Sequence, residues 1–145
     1  HGAAFVARVI GATAEFIRIL MEMTVGSTPF IIAEDGELNF CVKPALPAWL
    51  FTKKDQKVQL THEGGTQFVV IPENSFSFMF LGEILVTYLN PKKKNTYGED
   101  GVAPVKWILT DESGNIHHFN GNMLNAEIAG QIRERKIKRI EIELN

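Results

Sequence analysis

Cysteine is nearly absent from this sequence, because Cys41 is the only one among 145 residues. No disulfide can form within the chain, so its stability must come from an apolar core, which a chain of this length can build. Cys41 stands in the apolar, strand-like run at residues 38–42, with no histidine close to it in sequence. We therefore interpret it as a small buried side chain and not as a nucleophile.

Neither sign of charge dominates, and no apolar run is long. The 15 basic and 17 acidic residues leave a net charge of −2, so the basic surface of a nucleic-acid-binding protein is not expected.

The longest apolar stretch, residues 16–25, contains Arg18 and Glu22 and is too short to cross a bilayer. We expect no signal peptide, a cytoplasmic location and no membrane partner. The opening His1 indicates part of a larger protein.

The sequence motifs of catalysis and cofactor binding are also missing. There is no P-loop, dinucleotide fingerprint, zinc-ligand spacing or nucleophile elbow. His117 and His118 are adjacent, so on a strand they point to opposite faces and are predicted to be solvated rather than metal-binding. Most acidic residues fall in turns, where turn chemistry and solubility explain them as well as catalysis does. We therefore predict no enzyme activity by the chain itself, no catalytic residues, no metal and no cofactor.

One segment predicts an unusually apolar helix. Residues 12–25 contain neither glycine nor proline and are followed by Gly26. Glu15, Arg18 and Glu22 are spaced three and four apart and share one narrow stripe, which leaves the rest of the helix surface apolar. This long N-terminal helix either packs against other helices that are absent from the chain or is wrapped by a curved sheet. The first alternative predicts an exposed apolar face.

Period-two patterns and turn signals dominate the rest of the sequence. Three glycine-containing turns each separate two strand-like segments and indicate hairpins, at residues 34–36, 63–65 and 111–115. Alternation places three aromatic rings on one face of a strand, those of Phe76, Phe78 and Phe80. A short helix is predicted at residues 124–136 with Asn125 as its N-cap, and a last strand follows at residues 139–144. The predicted fold class is α+β, mostly antiparallel β and sandwich-like.

Two aromatic side chains in predicted loops are candidates for stacking on sugar rings. Trp49 lies in an irregular segment, and Tyr97 lies in a long polar loop at residues 90–101. Trp107 instead belongs to an alternating apolar pattern and is predicted to lie in the core. The three consecutive lysines at residues 92–94 are either simply solvated or meet a phosphate or an acidic partner.

Several short motifs occur in an order that resembles one enzyme family. They are GATAEF at residues 11–16, GSTPF at 26–30, DGEL at 35–38, KPALP at 43–47, FLG at 80–82, VTYLNP at 86–91 and the hairpin at 111–115. Together they span nearly the whole chain. In this order they resemble the C-terminal part of the cellobiose phosphorylase-type enzymes, glycoside hydrolase family ninety-four.

The resemblance implies a division of the chain and a location for its binding residues. Residues 1–29 would be the terminal helix of a helical-barrel domain that is otherwise missing, and residues 30–145 would be a C-terminal β-rich domain. In the family, the opening of this helix contributes to binding the attacking phosphate, and the matching positions are Gly11, Ala12 and Thr13. The general acid and most sugar subsites would lie upstream of this chain.

Two hypotheses about function follow. The first is a noncatalytic C-terminal portion of a carbohydrate-active enzyme, similar to glycoside phosphorylases or hydrolases of β-glucosides. Its partners would be the rest of the helical barrel or a second copy of the chain, since an uncovered apolar helix face favours a two-fold dimer, with sugar or phosphate as a possible ligand. The alternative is a free-standing carbohydrate-binding or protein-interaction module that displays Trp49 or Tyr97 in a groove.

Overall fold

The computed structural model describes residues 14–62 and 65–145. This part of the chain is rich in short strands and contains two α-helices and one turn of 3-10 helix. The bounds, in chain order, are α1 Ala14–Val25, β1 Phe30–Ile32, β2 Leu38–Phe40, the 3-10 turn Ala48–Leu50, β3 Gln56–His62, β4 Gly65–Ile71, β5 Ser75–Phe80, β6 Ile84–Leu89, β7 Pro104–Asp111, β8 Ile116–Asn120, α2 Ala126–Arg133 and β9 Ile137–Leu144.

A five-stranded sheet forms the centre of the molecule, in the order β5-β6-β9-β7-β8. β6 and β9 pair in parallel, and every other neighbouring pair in this sheet is antiparallel. The last strand of the chain therefore lies between two earlier hairpins and joins them. The predicted dominance of antiparallel pairing is confirmed, while the parallel β6–β9 pair was not predicted.

One face of this sheet carries the main core. Phe76 pairs with Tyr88 across β5 and β6, and Trp107 pairs with Ile142 across β7 and β9, so their side chains share this face. The three phenylalanines of β5 and Trp107 are all buried, as the alternation predicted. The Trp107 indole N–H donates a hydrogen bond to the Gly121 carbonyl at 2.9 Å, which satisfies its polar atom.

Local sequence signals explain the hairpins and the second helix. The β1–β2 turn contains Gly36 at φ +84°, a left-handed conformation that glycine adopts without strain. The Asn125 side chain accepts a hydrogen bond from the Ile128 N–H at 3.2 Å and so caps α2. α2 places its apolar residues in the main core, namely Ile128, Ala129 and Ile132. The strand pairings of the three predicted hairpins and the N-cap are confirmed, and residues 63 and 64 of the second turn lie outside the described residues.

The described part of helix α1 begins at Ala14 and ends at Val25. Its described part has 12 residues, or about three turns, so a long N-terminal helix is not supported, and residues 12 and 13 lie outside the described chain. The helix ends at Gly26, whose φ of +90° no other residue type adopts easily. The predicted charged stripe is present, since Arg18 bonds Glu22 at 2.9 Å and approaches Glu15 at 3.9 Å.

The last turn of α1 attaches the helix to the rest of the molecule. Thr24 and Val25 are buried, and Val25 belongs to the main core. The Tyr88 hydroxyl donates to the Thr24 carbonyl, and the Lys43 N–H donates to the Val25 carbonyl at 3.0 Å. The earlier turns are more open, because Ile19 is 44% exposed. Within the described residues, no helix combines the length and apolarity that crossing a bilayer requires.

Candidate functional site

The two aromatic residues proposed for sugar stacking are both on the surface. Trp49 lies in the 3-10 turn that follows Pro47 and is 73% exposed, and Tyr97 lies in the loop between β6 and β7 and is 50% exposed. Exposed side chains of this size leave much apolar area in contact with water, which favours their use in binding. We call Trp49 and Tyr97 the aromatic platform.

Hydrogen bonds join the two segments that carry the platform. The Leu46 N–H donates to the Thr96 hydroxyl oxygen at 2.8 Å, and the Thr96 N–H donates back to the Leu46 carbonyl at 3.0 Å. Two residues after Leu46 and one residue before Thr96, the Ala48 N–H donates to Asn95 Oδ1 at 2.7 Å. Trp49 directly follows Ala48 and Tyr97 directly follows Thr96. The fold therefore joins the two segments that carry Trp49 and Tyr97, which are 48 positions apart in sequence.

Asn90 holds the start of the loop that carries Tyr97. This residue is buried, and its side-chain Nδ2 donates to the Lys94 carbonyl at 2.7 Å. Further along, the Val102 N–H donates to the Asn95 carbonyl at 2.9 Å and closes the loop. A long loop with this many internal bonds is an ordered structure, and it is of the kind that carries function.

Gly101 allows the tight turn that presents Tyr97. Its N–H donates to the Gly98 carbonyl at 3.1 Å. A Cβ atom at position 101 would lie 2.5 Å from the Tyr97 carbonyl oxygen, which no real side chain tolerates. Because the loop is already ordered, a ligand that binds at Tyr97 does not bear the entropic cost of ordering it.

A second polar arrangement, at the β7–β8 hairpin, was only partly anticipated. His117 and His118 do point to opposite faces, since they pair with Leu109 and Ile108 respectively. His118 is exposed, whereas His117 Nε2 lies 2.9 Å from Asp111 Oδ2 and is not simply solvated. The turn sequence at residues 111–115 could have indicated the Asp111–His117 pair, because Asp111 lies at the base of the hairpin.

The Asp111 carboxylate is fully engaged in this hairpin. Its Oδ1 accepts hydrogen bonds from the Ser113 and Asn115 N–H groups, each at 2.9 Å. The bond to His117 above all, helped by those two N–H groups, lowers the pKa of Asp111 below its ordinary value of 3.8. A carboxylate held in this way acts as a turn brace, because its lone pairs are used within the hairpin.

The other candidate residues lie in the interior, on the surface or outside the described chain. Cys41 is buried, as interpreted from sequence, and Lys92, Lys93 and Lys94 are exposed. No group of three metal-ligating side chains lies close enough to hold an ion within residues 14–62 and 65–145. Gly11, Ala12 and Thr13, the positions matched to phosphate binding, lie outside the described residues, so that expectation stays a prediction.

Comparison with known proteins adds no assignment to this geometry. No protein-family model matches the chain, and no curated protein matches it either. The interpretation of the aromatic platform therefore depends on its exposure, its supporting hydrogen bonds and the chemistry of its side chains.

Proposed function

We propose that this chain is a noncatalytic C-terminal region of a carbohydrate-active enzyme and that it binds sugar on the aromatic platform. The observation that carries the proposal is that two exposed aromatic residues, Trp49 and Tyr97, stand on segments that hydrogen bonds join. The parent enzyme resembles the glycoside phosphorylases and hydrolases that act on β-glucosides. Phosphate binding at Gly11, Ala12 and Thr13 belongs to the same proposal.

The chemistry of the platform suits a pyranose ring. The axial C–H bonds of a β-linked glucoside give each ring an apolar face, which packs on the face of an indole or phenol. Trp49 supplies a large flat surface, and Tyr97 adds a hydroxyl group that can bond to a sugar hydroxyl. Because neither ring needs to be uncovered or ordered, most of the stacking energy is available for binding.

The exposure of α1 supports the view that part of the parent protein is missing. Glu15, Arg18 and Ile19 all face solvent, while Thr24 and Val25 at the end of the helix are buried. A helix held at one end, with an exposed isoleucine along its length, suits a neighbour that covers it. Under this proposal the neighbour is the helical-barrel domain, with residues 1–29 as its last helix and residues 30–145 as the β-rich domain.

A sandwich-like arrangement and a cytoplasmic location complete the proposal. β4 contacts β5, and Val58 and Ile71 form an apolar cluster separate from the main core. On β6, Leu85 is buried although its side chain lies on the sheet face opposite Val86 and the main core. These observations support a second layer formed by the β3–β4 hairpin over that edge of the sheet.

The single unpaired Cys41 suits a reducing compartment, which supports the proposed cytoplasmic location.

Calorimetric titration with glucose, cellobiose and longer β-glucan oligosaccharides tests the proposal. We expect W49A and Y97A each to weaken oligosaccharide binding by about tenfold, as the loss of one stacking ring implies. F68A is the matched control, because Phe68 is also an exposed aromatic residue, at 61%, but lies on β4 away from the joined segments. Absence of sugar binding, or equal weakening by F68A, would overturn the proposal.

The alternative, a free-standing carbohydrate-binding or protein-interaction module, has one observation in its favour. Val25 of α1 packs in the same core as the main sheet, so the helix end and the strands share one hydrophobic interior. A module of this kind would be a stable monomer in solution. Light scattering separates the two, because the first proposal expects a dimer or larger species through the uncovered side of α1.

A further inference from the structure

Five lysines stand in two short runs that follow residues of the same hydrogen-bonded turn, near the segments that carry the aromatic platform. They come from two segments that are distant in sequence, and we call them the lysine corner: Lys53, Lys54, Lys92, Lys93 and Lys94. The chain has ten lysines, so half of them stand in these two short segments. All five are exposed.

Backbone hydrogen bonds place the two lysine segments side by side. The Asn74 N–H donates to the Thr52 carbonyl at 2.8 Å, and the Asn90 N–H donates to the Asn74 carbonyl at 2.7 Å. Thr52 immediately precedes Lys53 and Lys54, and Asn90 is followed, after Pro91, by the three lysines. The turn around Asn74 therefore connects the two segments through two short bonds.

The trilysine turn has a defined backbone conformation. Lys93 has φ +56°, a left-handed conformation that an L-residue adopts only where its surroundings hold it. The Lys93 N–H donates to the Asn90 carbonyl at 3.1 Å, and the Asn90 side chain bonds the Lys94 carbonyl. A buried asparagine thus fixes the turn from below while the lysine side chains remain in solvent.

The lysine corner is a local concentration of unpaired positive charge. None of its five ammonium groups forms an ion pair with a carboxylate of the described residues. The full chain nevertheless carries a net charge of −2. Asp55 and Glu73 stand beside the same segments, but the five lysines outnumber them, so the local charge is positive and attracts anionic groups.

The lysine corner adjoins the aromatic platform through the same loop. Asn95 directly follows Lys94, and its side chain bonds the Ala48 N–H next to Trp49. On the other segment, Trp49 precedes Lys53 by four positions. Each of the two segments therefore carries one exposed aromatic ring and a run of exposed lysines within a few residues of each other.

We infer that the ligand of the aromatic platform is an acidic oligosaccharide, one whose sugar rings carry carboxylate or sulfate groups. This inference rests on the proposed function and adds the chemical class of the ligand. The rings would stack on Trp49 and Tyr97 while the anionic groups face the lysine corner. Lysine suits this task because its ammonium group attracts an anion without demanding one geometry.

Nucleic acid fits the same surface less well. A nucleic-acid strand carries a charge on every nucleotide, and its recognition depends on a basic surface extending over much of the domain. The net charge of −2 opposes such a partner. A short acidic oligosaccharide needs only the few cations that the lysine corner provides.

Titration with matched oligosaccharides tests the inference. Trigalacturonic acid is compared with cellotriose, which has a similar ring size and no charge, and a sulfated trisaccharide forms a third arm. We expect the acidic trisaccharides to bind more tightly than cellotriose and to lose that advantage as ionic strength rises. K92Q/K94Q should weaken acidic-sugar binding about fivefold, the effect of two exposed ion pairs, and leave cellotriose binding unchanged.

K57Q/K106Q is the matched control, because it removes the same number of charges from exposed lysines on β3 and β7. Equal effects of the two double variants, or equal affinity for acidic and neutral sugars, would overturn the inference and leave the proposed function standing. Binding of acidic sugars that W49A and Y97A do not weaken would overturn the proposed function instead. Tighter binding of an oligothymidylate than of any sugar would overturn both.

Discussion

At the scale of single residues, polar side chains that are buried or half-buried determine how the surface segments are held. Asn90 shapes the trilysine turn, Thr96 joins the two platform segments, and Asp111 braces the β7–β8 hairpin. Each has its hydrogen-bonding capacity used by nearby backbone groups, and none of the buried side-chain polar atoms in the described chain lacks a partner. These residues therefore have structural roles, and binding is left to the exposed side chains beside them.

Tyr88 links the sheet to α1 through one hydrogen bond. Burial above all, and next the nearby Cys41, raise the pKa of Tyr88 well above its ordinary value of 10.0, so the hydroxyl stays protonated and donates to the Thr24 carbonyl. We expect Y88F to lower the free energy of unfolding by about 1–2 kcal/mol, because the buried carbonyl loses its donor. Urea denaturation measures this. Y97F, which alters an exposed hydroxyl, should change stability little, and equal effects would contradict the argument.

Asp111 predicts a pH dependence of stability. Because its pKa is lowered in the folded state, its contribution is fully present above the ordinary value of 3.8 and is lost as the pH falls through the lowered value. H117A removes the largest cause of the shift, so the pKa of Asp111 should rise towards its ordinary value. Denaturation between pH 2 and 5 should then show wild type keeping its stability to lower pH than H117A. H118A, at the exposed neighbouring position, should behave as wild type, and an acid profile shared by all three would contradict this assignment.

At the scale of elements, the sequence predicted those features that depend only on residues close together in the chain. The hairpin turn at Gly36, the N-cap at Asn125 and the aromatic face of β5 all follow from short-range patterns, and the structure has them. The pairing of β6 with β9 joins residues more than fifty positions apart, and no local pattern encodes such a partner. The attachment of the end of α1 likewise depends on distant residues, since Tyr88 and Lys43 donate hydrogen bonds to its last two carbonyl groups.

The candidate site also has a part that the sequence predicts and a part that it does not. Trp49 and Tyr97 could be selected from sequence because each is a large aromatic residue in a loop. The joining of their segments could not be predicted, because it depends on hydrogen bonds that Asn95 and Thr96 accept from a segment almost fifty residues earlier. The contacts of Thr52, Asn74 and Asn90 that assemble the lysine corner are likewise nonlocal.

The loop that carries Tyr97 gives a prediction at the element scale. In G101A the new methyl group would meet the Tyr97 carbonyl oxygen at 2.5 Å, so the backbone must move and the platform changes shape. We expect G101A to lower the free energy of unfolding by about 1–3 kcal/mol and to weaken oligosaccharide binding measured by calorimetry.

G130A is the control for this variant. Gly130 lies inside α2, where an added Cβ meets no atom within 4 Å. Alanine there should stabilise the chain by about 0.5–1 kcal/mol and leave binding unchanged. Normal sugar affinity in G101A would mean that the conformation of the loop does not determine binding.

At the scale of the whole molecule, stability and recognition occupy different regions. The main core holds the central sheet, α2 and the end of α1, with Trp107 and Tyr88 fully buried. The aromatic platform and the lysine corner lie on loops at the periphery, joined to each other by backbone bonds. Variants of the exposed residues should therefore change binding without unfolding the chain, which makes the proposed function open to direct test.

Tryptophan fluorescence gives the most direct measurement, because the chain has only two tryptophans in opposite environments. Trp107 is completely buried, whereas Trp49 is on the surface. On titration with acidic and neutral oligosaccharides, the account predicts a saturable change in the emission of the exposed indole that disappears in W49F and persists in F68A. Emission that stays constant at millimolar sugar, or a change that survives in W49F, would contradict sugar binding on the aromatic platform.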